Sequence, residues 1–475
     1  MALSADGEAT HGIAPQILAK IRVREEHRFR ERRPRSQQLH AEAREHMPHG
    51  VPLHWMSQWG SPYPIFAERA SGARLTDVDG HSYVDFCLGD SACMFGHAHP
   101  AFTAGIAQAA ELGASYMLPT RDAIAVTREL SWRFRVPFWQ LATSATEANR
   151  FALRIARMFT GREKILVFNG KYHGSVDETQ VELRDGRMAP QHGIIANGVD
   201  FDRTTRVIEF NDLDALETAL AARDVAAVLT EPHMTNIGMV PAAPGFHDGL
   251  RRLTREAGTV LILDETHTIC MGPSGAIGEL GLEPDMVVLG KVLAGGIPSA
   301  VYGMSAAIAQ SLESITRGPG INHYGFGGTL AANALTVRAI RVALDEIMTE
   351  ATYRHMTTIA EALHDVIAAQ IKRFSLPWHV SRMGARVEYL YQPSVPRNGG
   401  EAARARSDEI ELLSHLYFAN RGLLLTPFHN MALVSPSTTL ADVRAYDSVF
   451  SDMLGEFTQS PVPHTNQHQD HDSHI

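Results

Sequence analysis

The chain has 475 residues, 44% hydrophobic and 20% charged, an ordinary globular mix that excludes collagen-like, mucin-like and wholly disordered chains and has room for two or three domains of ~150 residues. Its 43 Lys and Arg against 53 Asp and Glu give a net charge of -10. A nucleic-acid binder is not expected, because neutralising phosphates needs a basic surplus on at least one face. Residues 16–46 alternate charge sign (Lys20, Arg22, Arg24, Glu25, Glu26, Arg28, Arg30, Glu31), which predicts a solvated amphipathic helix on the surface or around a neighbouring subunit rather than a polyanion-binding arm. Short strands are predicted at 65–68, 73–76 and 83–86, with Asp79-Gly80 as the hairpin signal. From about 100 to 345 helical periods alternate with the apolar runs Lys164–Phe168, Val225–Thr230, Thr259–Leu263 and Met286–Leu289, the pattern of strands buried on both faces. An α/β fold with a mainly parallel sheet covered by helices follows.

Beyond 345 the pattern is mixed (Val380–Tyr391, Leu423–Val434) and predicts a smaller α+β domain. Segments 184–206, 314–328 and 392–406 read as loops. The domain expectation is a helical segment 1–46, a small domain from 47–99 with 346–458, and a large domain 100–345. The tail 459–475, with His464, His468, His471 and His474, is expected to be disordered rather than a metal site, since nothing apolar anchors it. The three cysteines, Cys87, Cys93 and Cys270, fit a reducing compartment better than a disulfide framework. No apolar run reaches the ~18 residues of a membrane span, and Met1–His11 lacks the apolar core of a signal peptide. A cytoplasmic protein with no membrane partner is expected.

Three of the buried runs end in charge: Thr230-Glu231, Leu263-Asp264-Glu265 and Gly290-Lys291. In open α/β sheets ligands bind beyond the carboxyl ends of the strands, so a carboxylate and a lysine are expected to share a crevice. Leu261–Glu265 alone also resembles the magnesium strand of an NTPase, but Gly-Lys is nowhere followed by Ser or Thr, and the dinucleotide, zinc-hydrolase and serine-hydrolase signatures are missing as well. Ser144-Ala145-Thr146-Glu147 reads as a capping box before the apolar stripe Ala148, Phe151, Ala152, Ile155, and a helix start there offers free N–H groups and the Ser144 and Thr146 hydroxyls to an anion. Tyr172 sits on a glycine-flanked turn where it can lie against a ring. A lysine, a strand-end carboxylate, an anion-accepting helix start and an aromatic are together what pyridoxal phosphate requires of its protein.

On these residues the chain resembles the class III aminotransferases of the fold-type I pyridoxal phosphate enzymes, most closely the branch that includes glutamate-1-semialdehyde aminomutase. The likeness runs from Met47 to about 345 and more weakly to 458. Its markers are Asp77-Val78-Asp79-Gly80, Gly96-His97-Ala98-His99-Pro100, Ser144–Ala148, Tyr172-His173-Gly174, Glu231-Pro232, Asp264-Glu265, Gly290-Lys291 and Gly328-Thr329. The resemblance implies Lys291 as the lysine that links to the cofactor, Asp264 as partner of the ring nitrogen, Tyr172 and Thr266 on the ring faces, and Asn236 near the ring hydroxyl. It further implies Ser144, Ala145 and Thr146 around the phosphate, and Thr329 reaching the phosphate of a neighbouring subunit. A homodimer with shared active sites is thereby implied. His97 and His99 become a structural turn, not a metal pair.

Departures bear on the substrate. Ser-Ala-Thr replaces the family's Ser-Gly-Thr, so the Ala145 methyl is expected to crowd the phosphate, and Asp264-Glu265-Thr266 replaces Asp-Glu-Val, with His267 following. Where the aminomutase branch has an arginine for the substrate carboxylate, this chain reads Trp55-Met56-Ser57-Gln58-Trp59, which suggests an apolar pocket mouth from Trp55, Met56 and Trp59. Arg386 is then the remaining candidate for a carboxylate clamp, or a structural partner of Glu388. The expectation is a ping-pong aminotransferase acting on an amine donor and a carbonyl acceptor and favouring apolar or aromatic amines. The alternatives are a glutamate-1-semialdehyde-like 2,1-aminomutase and a non-catalytic binding or regulatory protein of the same fold.

Overall fold

The computed structural model describes residues 11–194, 198–317 and 325–459. The first ten residues, 195–197 of the 184–206 segment, 318–324 of the 314–328 segment and the His-rich tail from 460 lie outside the described residues. A seven-stranded sheet organises the chain: β1 (Phe138–Ala142), β2 (Lys164–Phe168), β3 (Thr205–Ile208), β4 (Val225–Thr230), β5 (Val260–Asp264), β6 (Met286–Leu289) and β7 (Ala300–Met304), in spatial order β1-β7-β6-β5-β4-β2-β3. Strands β2 to β6 run parallel, and β7 is antiparallel to both of its neighbours. Every residue of β4, β5 and β6 is buried, because helices cover both faces of the sheet. The four apolar runs of the sequence are β2, β4, β5 and β6, with β5 displaced by one residue.

Both ends of the chain meet in a second sheet. Ala67–Ser71, Arg74–Asp77 and Ser82–Asp85 form an antiparallel meander, and Leu423–Leu424 pairs parallel to its last strand. The Asp79-Gly80 turn is longer than a two-residue hairpin: the Asp77 N–H donates to the His81 carbonyl. The Asp79 carboxylate is thereby free to accept from the N–H groups of Arg35 and Ser36, 2.7 and 3.0 Å away. A third sheet holds His379–Met383, Arg386–Leu390 and Met431–Leu433. His99 caps the helix Pro100–Leu112, and His97 bonds Asp85 at 2.7 Å, which pushes its imidazole up to about 10. Both histidines serve the turn.

Other expectations give way. The charge-alternating segment is two helices, α1 (Pro15–Arg32) and α2 (Pro34–Ala43), broken where Pro34 has no N–H to continue the ladder. It is not a merely solvated face. Glu25 is fully buried and accepts from Asn420 and Arg421, while buried Arg33 donates to the Tyr83 hydroxyl, the Asn420 side chain and the Ala419 carbonyl. Charge alternation shows where charges lie on a helix but not which distant residues meet them. The 184–206 segment is not all loop: it includes the end of a hairpin, Val181–Arg184 with Arg187–Pro190, turned by Asp185 and Gly186 at φ 53° and 72°, the positive pair that a two-residue type I′ turn requires. Gly399–Arg404 in the 392–406 segment is a short helix capped by Asn398. Among the described residues no helix is long and apolar enough to cross a membrane, and the three cysteines are free thiols.

Candidate active site

Parallel strands deliver their last residues to one edge, so Glu231, Asp264 and Lys291 emerge side by side from the neighbours β4, β5 and β6. Strand β1 ends on the same edge and leads into α3 (Ala145–Thr160). A cavity of about 320 Å³ opens there, and Ser144, Ala145, Thr146, Tyr172, Asp264, Thr266 and Lys291 all line it.

At one end lies the start of α3. The Ser144 hydroxyl oxygen accepts from the Glu147 N–H at 3.3 Å. Glu147 reaches back one residue further than a capping box would take it, accepting from the Thr143 N–H at 2.9 Å and from the Thr143 hydroxyl. The first two helical N–H groups, of Ala145 and Thr146, have no partner within the helix, and such groups suit an anion. Two glycines make this end compact. A Cβ at Gly174, where φ is +77°, would lie 2.0 Å from the Thr146 hydroxyl oxygen, and one at Gly290 would lie 2.8 Å from the Ala145 methyl. The Ala145 methyl, expected to crowd the anion, therefore packs on the bare backbone of Gly290.

At the other end Asp264 is buried, which by itself would raise its carboxyl. Hydrogen bonds outweigh this: Oδ2 accepts from His173 Nδ1 at 2.9 Å and Asn149 Nδ2 at 2.8 Å, and Oδ1 from the Thr266 N–H at 3.1 Å. The carboxyl is held at about 2 and stays ionised. Glu231 is pushed by burial up to about 7 although Thr235 donates to it. The Thr266 and Ser299 hydroxyls in the cavity wall are buried without a protein partner. Buried hydroxyls are rarely left so unless something else meets them. Lys291 has left-handed backbone at φ 51°, and its Nζ lies 2.5 Å from Asp90 Oδ2 and 2.9 Å from His267 Nε2.

Residues 55–449 match the family described as Aminotransferase class-III. The chain is 32% identical over 404 residues to a glutamate-1-semialdehyde 2,1-aminomutase of Brevibacillus brevis, covering 83% of this chain and 92% of that protein. A crystal structure of a glutamate-1-semialdehyde-aminomutase from Pseudomonas aeruginosa PAO1 is 55% identical, with a TM-score of 0.92 over 94% of this chain and 100% of that one. A β-phenylalanine aminotransferase from Variovorax paradoxus superposes with a TM-score of 0.81 at 26% identity, over 93% of this chain and 97% of that one. This chain belongs to the class III aminotransferases.

The family is one of pyridoxal phosphate enzymes, which sets aside the non-catalytic alternative, and the cavity fits that cofactor. The start of α3 suits its phosphate, ionised Asp264 its ring nitrogen, the unpartnered Thr266 and Ser299 hydroxyls its polar edges, and Lys291 its carbonyl. Other residues assigned to this class III aminotransferase from sequence lie elsewhere. Asn236 does not line the cavity; its amide leans on the Gly170 carbonyl at 3.5 Å. Thr329 is exposed and off this protomer's cavity. Trp59 packs with Tyr83, Ala419 and Leu424, and neither Trp55 nor Met56 reaches the cavity, so the three form no mouth to it within one protomer. Arg386, 1% exposed, lies behind His267 and meets neither the cavity nor Glu388, which pairs with His429 instead. Sequence reading gave no role to Asp90, His173, Asn149 and His267. Asn149 and His173 lie 115 and 91 positions from Asp264, and Asp90 lies 201 from Lys291. No local spacing could have joined them.

Proposed function

We propose that this enzyme moves an amino group between adjacent carbons of one small carboxylate-bearing amino aldehyde, as a 2,1-aminomutase of the glutamate-1-semialdehyde type. The convergence of Lys291, Asp264 and the start of α3 on one cavity supports amino-group transfer. The relatives named for that mutase, up to 55% identical across 94% of the chain, support the intramolecular form. Bound pyridoxal phosphate supplies a carbonyl for the amino group and a ring that draws electrons off the substrate carbon. Lys291, once its nitrogen is free, takes the proton from substrate carbon and returns it. Asp264 keeps a proton on the ring nitrogen, since an ionised carboxylate favours the charged partner beside it. The Ala145 and Thr146 N–H groups, with the Ser144 and Thr146 hydroxyls, hold the phosphate, and Tyr172 shields a ring face.

A second reading, transfer from an amine donor to a keto acid, draws support from Met56 standing where the mutase branch has an arginine and from the likeness to the β-phenylalanine aminotransferase. A homodimer is part of both readings. Leu112, Met117 and Leu118 are 71%, 80% and 72% exposed, an apolar surface that a second copy would cover, and Thr329, outside its own cavity, is free to serve the neighbour's. One experiment separates the readings. Enzyme loaded with pyridoxamine phosphate is given glutamate-1-semialdehyde and no other substrate. Sustained conversion to the isomeric amino ketone supports the mutase, whereas a single turnover that resumes only when an amine donor is added supports the aminotransferase.

A further inference from the structure

A lysine ammonium in a cavity wall needs a counter-charge, and the carboxylate on the neighbouring strand is already engaged. Asp264 accepts from His173, Asn149 and the Thr266 N–H. Among the described residues the ion pair of Lys291 is with Asp90, whose Oδ2 lies 2.5 Å from Nζ. Asp90 commits its charge to nothing else there: Oδ1 is buried and accepts no hydrogen bond. Asp85, in the same loop, is the contrast. It accepts from the Cys87 and Leu88 N–H groups at 2.8 and 3.0 Å and bonds His97 at 2.7 Å. Asp85 holds the loop together, and the Asp90 side chain does not. The backbone is nevertheless bent to present Asp90: Leu88, Gly89, Asp90 and Ser91 have φ of 46°, 60°, 50° and 77°, and Lys291 itself is at 51°. Such conformations persist only where the surroundings enforce them.

We propose that Asp90 is a positioning residue for Lys291: its carboxylate holds the lysine ammonium at the cavity and is the counter-charge for the proton that Nζ takes from substrate. This rests on the amino-transfer reading above. In that step the substrate C–H bond breaks, its electron pair passes to the ring, and the proton bonds to Nζ. A positive charge thus appears beside an oxygen already in place to meet it. Asp90 takes no proton itself. Burial alone would raise its carboxyl, but the Lys291 charge outweighs burial and holds it well below the usual carboxylate range. The titratable and charged groups facing Asp90 are Lys291 after β6, His267 after β5, Arg386 from the strand Arg386–Leu390, Tyr172 after β2 and Cys87 in its own loop. Burial keeps His267 neutral, so Lys291 and Arg386 are the charges, and Lys291 is the one in contact. The Lys291 and Asp90 side chains are 27% and 40% exposed, and solvent screening keeps their coupling at the low end of the range for close pairs.

The cofactor-free protein tests the pairing. Carbon-13 NMR of aspartate-labelled enzyme, with the signal identified by its loss in Asp90→Asn, should show the Asp90 carboxyl ionised throughout an acid titration. In Lys291→Met its midpoint should rise by about one unit or more, because burial is no longer opposed by the ammonium. The loaded enzyme tests the consequence, using glutamate-1-semialdehyde deuterated at its amino-bearing carbon. Asp90→Asn should lower kcat about tenfold or more, with KM little changed and a larger isotope effect, since the proton step is the one slowed. Asp90→Glu, which keeps the charge, should recover most of the rate. Circular dichroism checks that each variant is folded, and the Lys291→Met titration decides the matter if Asp90→Asn is not. A midpoint unmoved in Lys291→Met, or Asp90→Asn turning over at the wild-type rate, overturns the assignment. A wild type that moves no amino group while the midpoint shift holds would instead overturn the functional reading.

Discussion

Asp264 keeps its charge through neighbours rather than through solvent. His173 and Asn149 donate to a carboxylate that burial alone would protonate. Asp264→Asn should therefore retain the cofactor, since the amide oxygen still accepts from His173, yet lower turnover roughly a hundredfold or more by removing a preorganised charge; single-turnover kinetics on the loaded variant measures this. The same carboxyl links fold to pH. Its value falls from 3.8 in the unfolded chain to about 2 in the fold, so its contribution to stability is complete above about 3.8 and is lost as pH falls toward 2. Denaturant titrations across that window should show a shallower acid loss in Asp264→Asn than in wild type. Lys291 and Asp264 were legible in the sequence because each ends a buried apolar run. Their partners were not, since a histidine or an aspartate at a distant position carries no mark of what it will touch. Arg386 shows the converse: with Glu388 two residues away on one strand it invited a local pairing that the fold does not make.

At the level of elements, the anion end depends on a helix cap and on two missing side chains. Ser144→Ala removes the acceptor for the Glu147 N–H and should cost about 1 kcal/mol of stability in thermal or denaturant unfolding. Gly290→Ala places a methyl 2.8 Å from the Ala145 methyl, an overpacking of about 1–3 kcal/mol, and should weaken cofactor binding more than Ser144→Ala does, because β6 and α3 must separate; equilibrium titration with pyridoxal phosphate compares the two. The buried strands β2, β4, β5 and β6 were readable since burial on both faces makes them continuously apolar. Strands β1 and β3 lie at the sheet edges with partly exposed faces. β7 is buried but holds Gly303, where a Cβ would strike Val136 and Trp139, so its composition follows packing rather than strand preference.

For the whole molecule, the proposed dimer would cover the exposed Leu112, Met117 and Leu118. Replacing Met117 and Leu118 together by Glu should halve the mass seen by light scattering and abolish activity, if each site draws on the other copy; an unchanged mass would place the subunit contact elsewhere. The sequence pattern suggests one small domain from 47–99 with 346–458 but not which strands pair in it: the parallel pairing of Leu423–Leu424 with Ser82–Asp85 spans so long a separation that the assembled core sets it and neither segment does.

Amino transfer in the proposed function takes place at Lys291 in this cavity. The direct measurement is borohydride reduction of the enzyme loaded with pyridoxal phosphate, followed by digestion and mass spectrometry. The cofactor's mass is expected on the peptide that contains Lys291 and is expected to vanish in a folded Lys291→Ala variant. Finding it instead on Lys171, the buried lysine beside Tyr172 that burial pushes down to about 7, or finding it retained in Lys291→Ala, would contradict the assignment.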